Sequence, residues 1–255
     1  MEIKGKKVLI TGANRGIGLS LTKELSKRGA TVFAGMRNPN SYAEHLENVT
    51  PVKCDLSSKE STDTFLELFK EKKEIDILIN NAGMLTGGLF EEQPLDDIYN
   101  MMNVNLLAPI HLTHQLLPHL IKKMESMIVM NTSVSAVFNL PCASTYSASK
   151  AGLLALSESL SQELESTSVR VLKLLTPGIK TRMFDEIPNL YGEHLQSVEK
   201  MSSITPEEYA SRVCDCIEKN KEYFSPGGEV GIGLWLYRHF PSFFKKMTLK
   251  DFKRK

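Results

Sequence analysis

The chain has 255 residues, 42% hydrophobic and 24% charged, which suits one globular domain over 1–255 with a full core. A formal net charge of +1 argues against a nucleic-acid partner but hides an asymmetry: residues 229–255 hold seven Lys/Arg against two acids, a net +5, leaving 1–228 at −4. The start, Met1 to Lys7, has no apolar leader, no stretch reaches the ~20 apolar residues that span a bilayer, and four cysteines imply no disulfide framework, so the expected location is cytoplasmic.

In chain order, short apolar runs predict strands at 8–11, 31–34, 49–53, 75–79, 127–130 and 169–175. Longer patterns predict helices near 16–28, 58–73, 96–124, 144–167 and 205–220, several with Ser, Thr or acidic starts suited to capping. Strands that are apolar at consecutive positions belong in a parallel sheet covered on both faces, so the expected architecture is α/β, a single doubly wound Rossmann-like sheet. Cys214 and Cys216 on the last predicted helix would point to nearly opposite faces, and no metal site is expected. In such sheets ligands bind beyond the carboxyl ends of the strands, so the chemistry should follow each strand.

After the first strand comes Thr11, Gly12, Ala13, Asn14, Arg15, Gly16, Ile17 and Gly18, a glycine-rich turn into a helix whose N-terminus favours a pyrophosphate. Gly12 permits the turn, Gly16 admits the phosphate to the backbone, and Gly18 lets helix pack on strand. The second strand offers no acid for a ribose 2′-hydroxyl. Instead Arg37 follows it and Arg15 sits in the glycine loop, two guanidinium groups suited to a 2′-phosphate, so NADP(H) is preferred and NAD(H) remains possible. Asp55 and Leu56 follow the third strand, where an adenine amino group and ring face would be met. Asn80, Asn81, Ala82 and Gly83 follow the fourth, small residues that let the chain pass close to a ligand.

Ser133 ends the fifth strand thirteen residues before Tyr146, and Lys150 follows Tyr146 by one helical turn. Side chains four apart share a helix face, so an ammonium beside a phenol is expected to lower its pKa, and Ser133 is a candidate donor to a substrate oxygen. In the helix at 96–124, Pro109 lacks the N–H that would bond the carbonyl of Asn105. A kink and a free carbonyl fit for a water are expected there, beside Lys150.

Together TGANRGIG, Asp55-Leu56, NNAG, NVN, Ser133, YSASK and Pro177-Gly178 resemble, in order and spacing over about residues 6–180, the single-domain short-chain dehydrogenase/reductase family. The resemblance implies that Tyr146 is the acid/base, that Lys150 tunes it and binds the nicotinamide ribose, and that Ser133 polarises the substrate carbonyl. It further implies that Asn105 anchors a relay water, that Asn81 lines the cofactor site, and that Pro177, Gly178 and Thr181 contact the nicotinamide end. Two residues stand between Pro177-Gly178 and Thr181 where the family usually has three, and Arg37 stands one place later than the arginine common in NADP-preferring relatives.

The implied reaction interconverts a carbonyl and an alcohol by hydride transfer. Apolar Met183, Phe184, Ile187, Leu190 and Tyr191 in a substrate loop at 181–204, with Phe138, Leu140 and Cys142 before Tyr146, point to a lipophilic small molecule. The basic aromatic extension 229–255, interrupted by Pro241 and not cleanly helical, is read as packing or a lid before a peripheral membrane contact. The family implies a homodimer or homotetramer. A non-catalytic NADP-sensing regulator and an isomerase or dehydratase of the same family are the alternatives.

Overall fold

The computed structural model describes residues 1–42, 46–70 and 74–254; Lys255 and the end of the helix expected to 73 lie outside the described residues. Seven strands form one parallel sheet in the order β3-β2-β1-β4-β5-β6-β7: β1 (Lys7–Thr11), β2 (Thr31–Met36), β3 (Val49–Lys53), β4 (Ile77–Asn80), β5 (Ser126–Asn131), β6 (Val169–Leu174) and β7 (Tyr223–Phe224). β4 and β5 are buried at every position, so continuous apolar runs serve two covered faces. β7, only two residues long, carries no readable pattern and was not expected.

Helices α1 (Gly16–Lys27) and α8 (Pro206–Glu218) cover one face; α2 (Lys59–Lys70), α4 (Ala108–Leu120) and α5 (Ser144–Glu163) cover the other. Leu21, Leu25, Val213 and Ile217 pack on Val8, Ile10 and Val129 on the first face, while Phe65, Leu112 and Leu153 pack on Leu9, Leu78 and Ile128 on the second. The in-and-out alternation of each strand thus feeds two cores at once. Cys214 and Cys216 are both buried in the first core, and all four cysteines are free thiols.

The helix expected over 96–124 is three pieces. α3 (Leu95–Met102) runs into a π-helical stretch, Asn103–Leu107, before α4 begins. The Ala108 N–H bonds the Asn103 carbonyl five residues back, so the register has widened before Pro109 is reached, where an α-helical kink at the proline was expected. Short helices α6 (Arg182–Asp185) and α7 (Ile187–Tyr191) build the segment after β6. The C-terminal extension, whose sequence period is not cleanly helical, is two helices, α9 (Gly228–His239) and α10 (Pro241–Asp251). Pro241 starts the second of them, where its missing N–H costs nothing.

Candidate active site

Sheet order reverses between β1 and β4, and the expected residues gather at those carboxyl ends. Gly12 has φ +68°, and a Cβ on Gly18 would lie 2.0 Å from the Gly12 carbonyl oxygen, so α1 starts directly against the turn as only glycine allows. Thr11 Oγ1 accepts the N–H groups of Asn81 (3.1 Å) and Ala82 (3.0 Å), while Asn81 Nδ2 donates to the Thr11 carbonyl at 2.9 Å. These bonds hold the loop after β4 against the glycine turn.

The same Asn81 continues a buried chain of polar contacts. Its Oδ1 accepts from Asn131 Nδ2 at 2.9 Å; Asn131 Oδ1 accepts from Thr176 Oγ1 at 2.5 Å; and Thr176 Oγ1 lies 2.5 Å from the hydroxyl of Tyr209, which is fully buried on α8. With Thr176 donating onward, Tyr209 donates to it. Asn131, Thr176 and Tyr209 were not identified from sequence, where an isolated Asn, Thr or Tyr at an element end carries no periodic signal.

Around Tyr146 the expected group assembles. Ser133 stands beside its hydroxyl, where it favours the phenolate, and Ser133 Oγ accepts the Ser135 N–H at 3.1 Å, so one serine both caps a turn and faces the phenol. Lys150 Nζ donates to the Asn131 carbonyl at 2.9 Å and lies 6.0 Å from the Tyr146 ring centroid. Asn105, fully buried in the π-helical stretch, exchanges both polar atoms with Met84: its Oδ1 accepts the Met84 N–H at 2.8 Å and its Nδ2 donates to the Met84 carbonyl at 2.9 Å. Asn105 Nδ2 also donates to Ser149 Oγ at 3.1 Å, and a Cβ on Gly83 would touch Asn105 Oδ1 and Lys150 Nζ at 3.6 and 3.7 Å.

The electrostatics differ from the expected lowering of Tyr146 by Lys150. Burial holds the phenol above its usual value, with only Ser133 pulling the other way. The same burial pushes the Lys150 ammonium down to about 8. An ammonium 6.0 Å from the ring, itself costly to charge in this environment, does not outweigh the phenolate's loss of solvent.

Among cofactor candidates, Arg15 and Arg37 are exposed, their guanidinium groups have no ion-pair or hydrogen-bond partner among the described residues, and Asn14 is exposed beside Arg15. Ile17 packs partly on the core. Asp55 Oδ1 accepts the Ser57 N–H at 3.0 Å, which fixes the turn after β3. Leu56 is 6% exposed among Phe65 and Leu112, so its side chain serves the core and offers no ring-face platform, contrary to expectation. Thr181, despite the shortened spacing, reaches the glycine loop: a Cβ on Gly16 would lie 3.2 Å from its Cγ2, and its Oγ1 caps α6 by accepting the Phe184 N–H at 3.4 Å. Gly178 follows Pro177 with Phe184 so close that a Cβ would be 2.6 Å from its ring. These residues fit a dinucleotide: a glycine cradle that a Cβ would fill, two unpartnered cations and a strand-end asparagine tied to the cradle.

Of the substrate candidates, Cys142 and Tyr191 are buried in one cluster with Leu195 and Val198, against which Leu140, Ile187 and Leu190 pack. Tyr191 donates to the Thr86 carbonyl at 3.3 Å, and the Cys142 carbonyl accepts the Gly88 N–H at 3.0 Å, so loop, α7 and the turn before α5 form one wall. Met183 and Phe184 on α6 are half-buried.

Fold and site define a nucleotide-dependent dehydrogenase of the doubly wound type. Residues 6–191 match the short chain dehydrogenase family, and the chain belongs to it. The 3-oxoacyl-acyl-carrier-protein reductase FabG of Thermotoga maritima is 28% identical over 240 residues, covering 91% of this chain and 98% of that one. The FabG of Buchnera aphidicola is 30% identical, covering 88% and 95%. A short chain dehydrogenase from Burkholderia cenocepacia, solved in complex with NADP, superposes with a TM-score of 0.84 at 26% identity, covering 98% and 99%. The protein is an oxidoreductase of this family. Among the described residues no helix is long and apolar enough to cross a membrane.

Proposed function

We propose that the protein reduces a lipophilic ketone or aldehyde, and oxidises the matching alcohol, with NADP(H) preferred and NAD(H) admitted. The observation that carries this reading is the contact of Tyr146 with Ser133 beside a buried Lys150 at the cradle end of the sheet. When bound, the cofactor supplies hydride to or takes it from the substrate carbon. The chain does the rest. Ser133 and Tyr146 donate hydrogen bonds to the substrate oxygen, and Tyr146, held protonated at neutral pH by burial, gives it a proton. Lys150 is positioned to hold the nicotinamide ribose, and Asn105, pinned to Met84 and Ser149, to present its main-chain carbonyl to a relay water.

Arg15 and Arg37 are placed for a 2′-phosphate; Asp55, Asn81, Ala82, Gly83, Pro177, Gly178 and Thr181 complete the cofactor side. Support for NADP(H) also comes from the cofactor named for the Burkholderia relative, and support for a carbonyl substrate from the reductases named above. The apolar wall of Leu140, Cys142, Met183 and Phe184 favours a lipophilic small molecule over a sugar. Exposed Leu95 and Tyr99 on α3, Leu107 in the π-helical stretch and Ile110 on α4 support self-association through this part of the chain, and four free thiols suit the reducing cytoplasm.

A panel of aldehydes, ketones, sterols and quinones with NADPH and with NADH, followed by absorbance of the reduced cofactor, tests the reading. Turnover of apolar carbonyls, fastest with NADPH, is the expected result. Tight cofactor binding with no turnover of any member overturns it in favour of a regulator; conversion of substrate without net NADPH change favours an isomerase or dehydratase.

A further inference from the structure

The two C-terminal helices have one face that this chain uses and one that it does not. On the inner face Phe138 meets the rings of Tyr237 and Phe244 edge-on at 4.9 and 5.7 Å. The end of α10 and the residues after it are fastened to the substrate loop at 181–204, where Phe252 bridges Leu195, the Lys253 N–H donates to the His194 carbonyl at 2.8 Å and Asp251 accepts the Ser197 N–H at 2.6 Å, and to the turn before α3, where Arg254 pairs with Glu91. The extension is therefore part of the rim of the substrate cleft.

The outer face carries Ile232, Trp235, Phe240, Phe243, Met247 and Leu249, each between 52% and 62% exposed. Ile232 and Trp235 are three apart on α9, and Phe243 and Met247 four apart on α10, so each pair lies on one helical face. Arg238, Lys245, Lys246 and Lys250 are interleaved with them and have no acidic partner among the described residues. Large apolar side chains among unpaired cations match the boundary of an anionic bilayer, where acyl chains take the first and phosphate headgroups the second. A symmetric contact with a second copy would set these cations against themselves.

We propose that the outer face of α9 and α10 docks peripherally on a lipid surface bearing anionic headgroups, with the rim of the substrate cleft turned toward the acyl layer. The docking stands apart from the reductase reading, because it needs neither cofactor nor turnover.

Trp235 is the sole tryptophan, so the full chain reports on itself. Phosphatidylcholine vesicles doped with phosphatidylglycerol should shift its emission to the blue and sediment the protein, an effect that added salt weakens. Pure phosphatidylcholine should do so at least about tenfold more weakly. Phe243→Ser with Met247→Ser, and separately Lys245→Glu with Lys246→Glu, should each reduce partitioning about tenfold or more while thermal unfolding stays as in the wild type. Three results overturn the proposal: no blue shift or sedimentation with anionic vesicles at low salt, equal binding to both vesicle types that ignores the lysine reversal, or a dimer in light scattering that the Phe243 and Met247 substitutions dissociate.

Discussion

Lys150 Nζ donates its 2.9 Å hydrogen bond to the main-chain carbonyl of Asn131, the residue that also ties β4 to β6 through Asn81 and Thr176. A lysine 4% exposed with its pKa pushed down to about 8 burdens the folded state at neutral pH. Between about 8 and the ordinary 10.5 the unfolded chain holds a proton that the folded one has released, so stability contributed at this site rises with pH across that window and is flat below it. Urea unfolding of wild type and Lys150→Met should give curves that diverge above pH 8 in favour of the wild type, by up to about 1.4 kcal/mol per pH unit. Parallel pH profiles would show that Lys150 keeps an ordinary pKa.

Tyr146→Phe removes the proton donor and leaves the cradle untouched. Turnover should fall about 10²- to 10⁴-fold with cofactor affinity unchanged, read by steady-state kinetics beside cofactor fluorescence titration. Because burial keeps the phenol protonated, wild-type carbonyl reduction should be level across neutral pH, while alcohol oxidation climbs about tenfold per pH unit. An oxidation rate level from pH 6 to 8, both about neutral, speaks for a base other than Tyr146.

Arg15→Ala and Arg37→Ala test the choice between cofactors. A charge-assisted contact of about 1.5–3 kcal/mol predicts a loss of roughly 10- to 100-fold in kcat/KM for NADPH from each, with NADH little changed. Equal losses with both cofactors would place the arginines away from the 2′-phosphate.

Tyr209→Phe deletes the far end of the buried polar chain. Removing a hydroxyl that satisfies buried Thr176 should cost about 1–3 kcal/mol in urea unfolding, and adding Thr176→Val should cost less than the sum of the two singles. Additivity would mean that the two hydroxyls act independently.

Two glycines should answer oppositely to alanine. At Gly18 the new Cβ would stand 2.0 Å from a backbone oxygen, so cofactor binding and thermal stability should both drop. At Gly233, inside α9 with nothing within 4 Å of the added Cβ, alanine should stabilise by about 0.5–1 kcal/mol. Differential scanning calorimetry of both variants measures the contrast.

The sequence by itself determined whatever depends on near neighbours along the chain: six of the seven strands, the glycine turn before α1, the pairing of Tyr146 with Lys150 on one helical turn, and their order after Ser133. Periods of two and of about 3.6 residues and short motifs are local physics and are legible without a fold. Only the tertiary structure decided how those groups are solvated and what they touch. It raised Tyr146 by burial where the nearby charge alone suggested the reverse, placed Leu56 in the core, and widened the helix at Asn105 before Pro109. It also linked Tyr209 to Asn131 and folded a tail with no clean helical period into two helices whose end is tied to the substrate loop. Each of these rests on contacts between residues tens of positions apart, and desolvation and hydrogen-bond partnership across such distances arise only when the chain closes on itself.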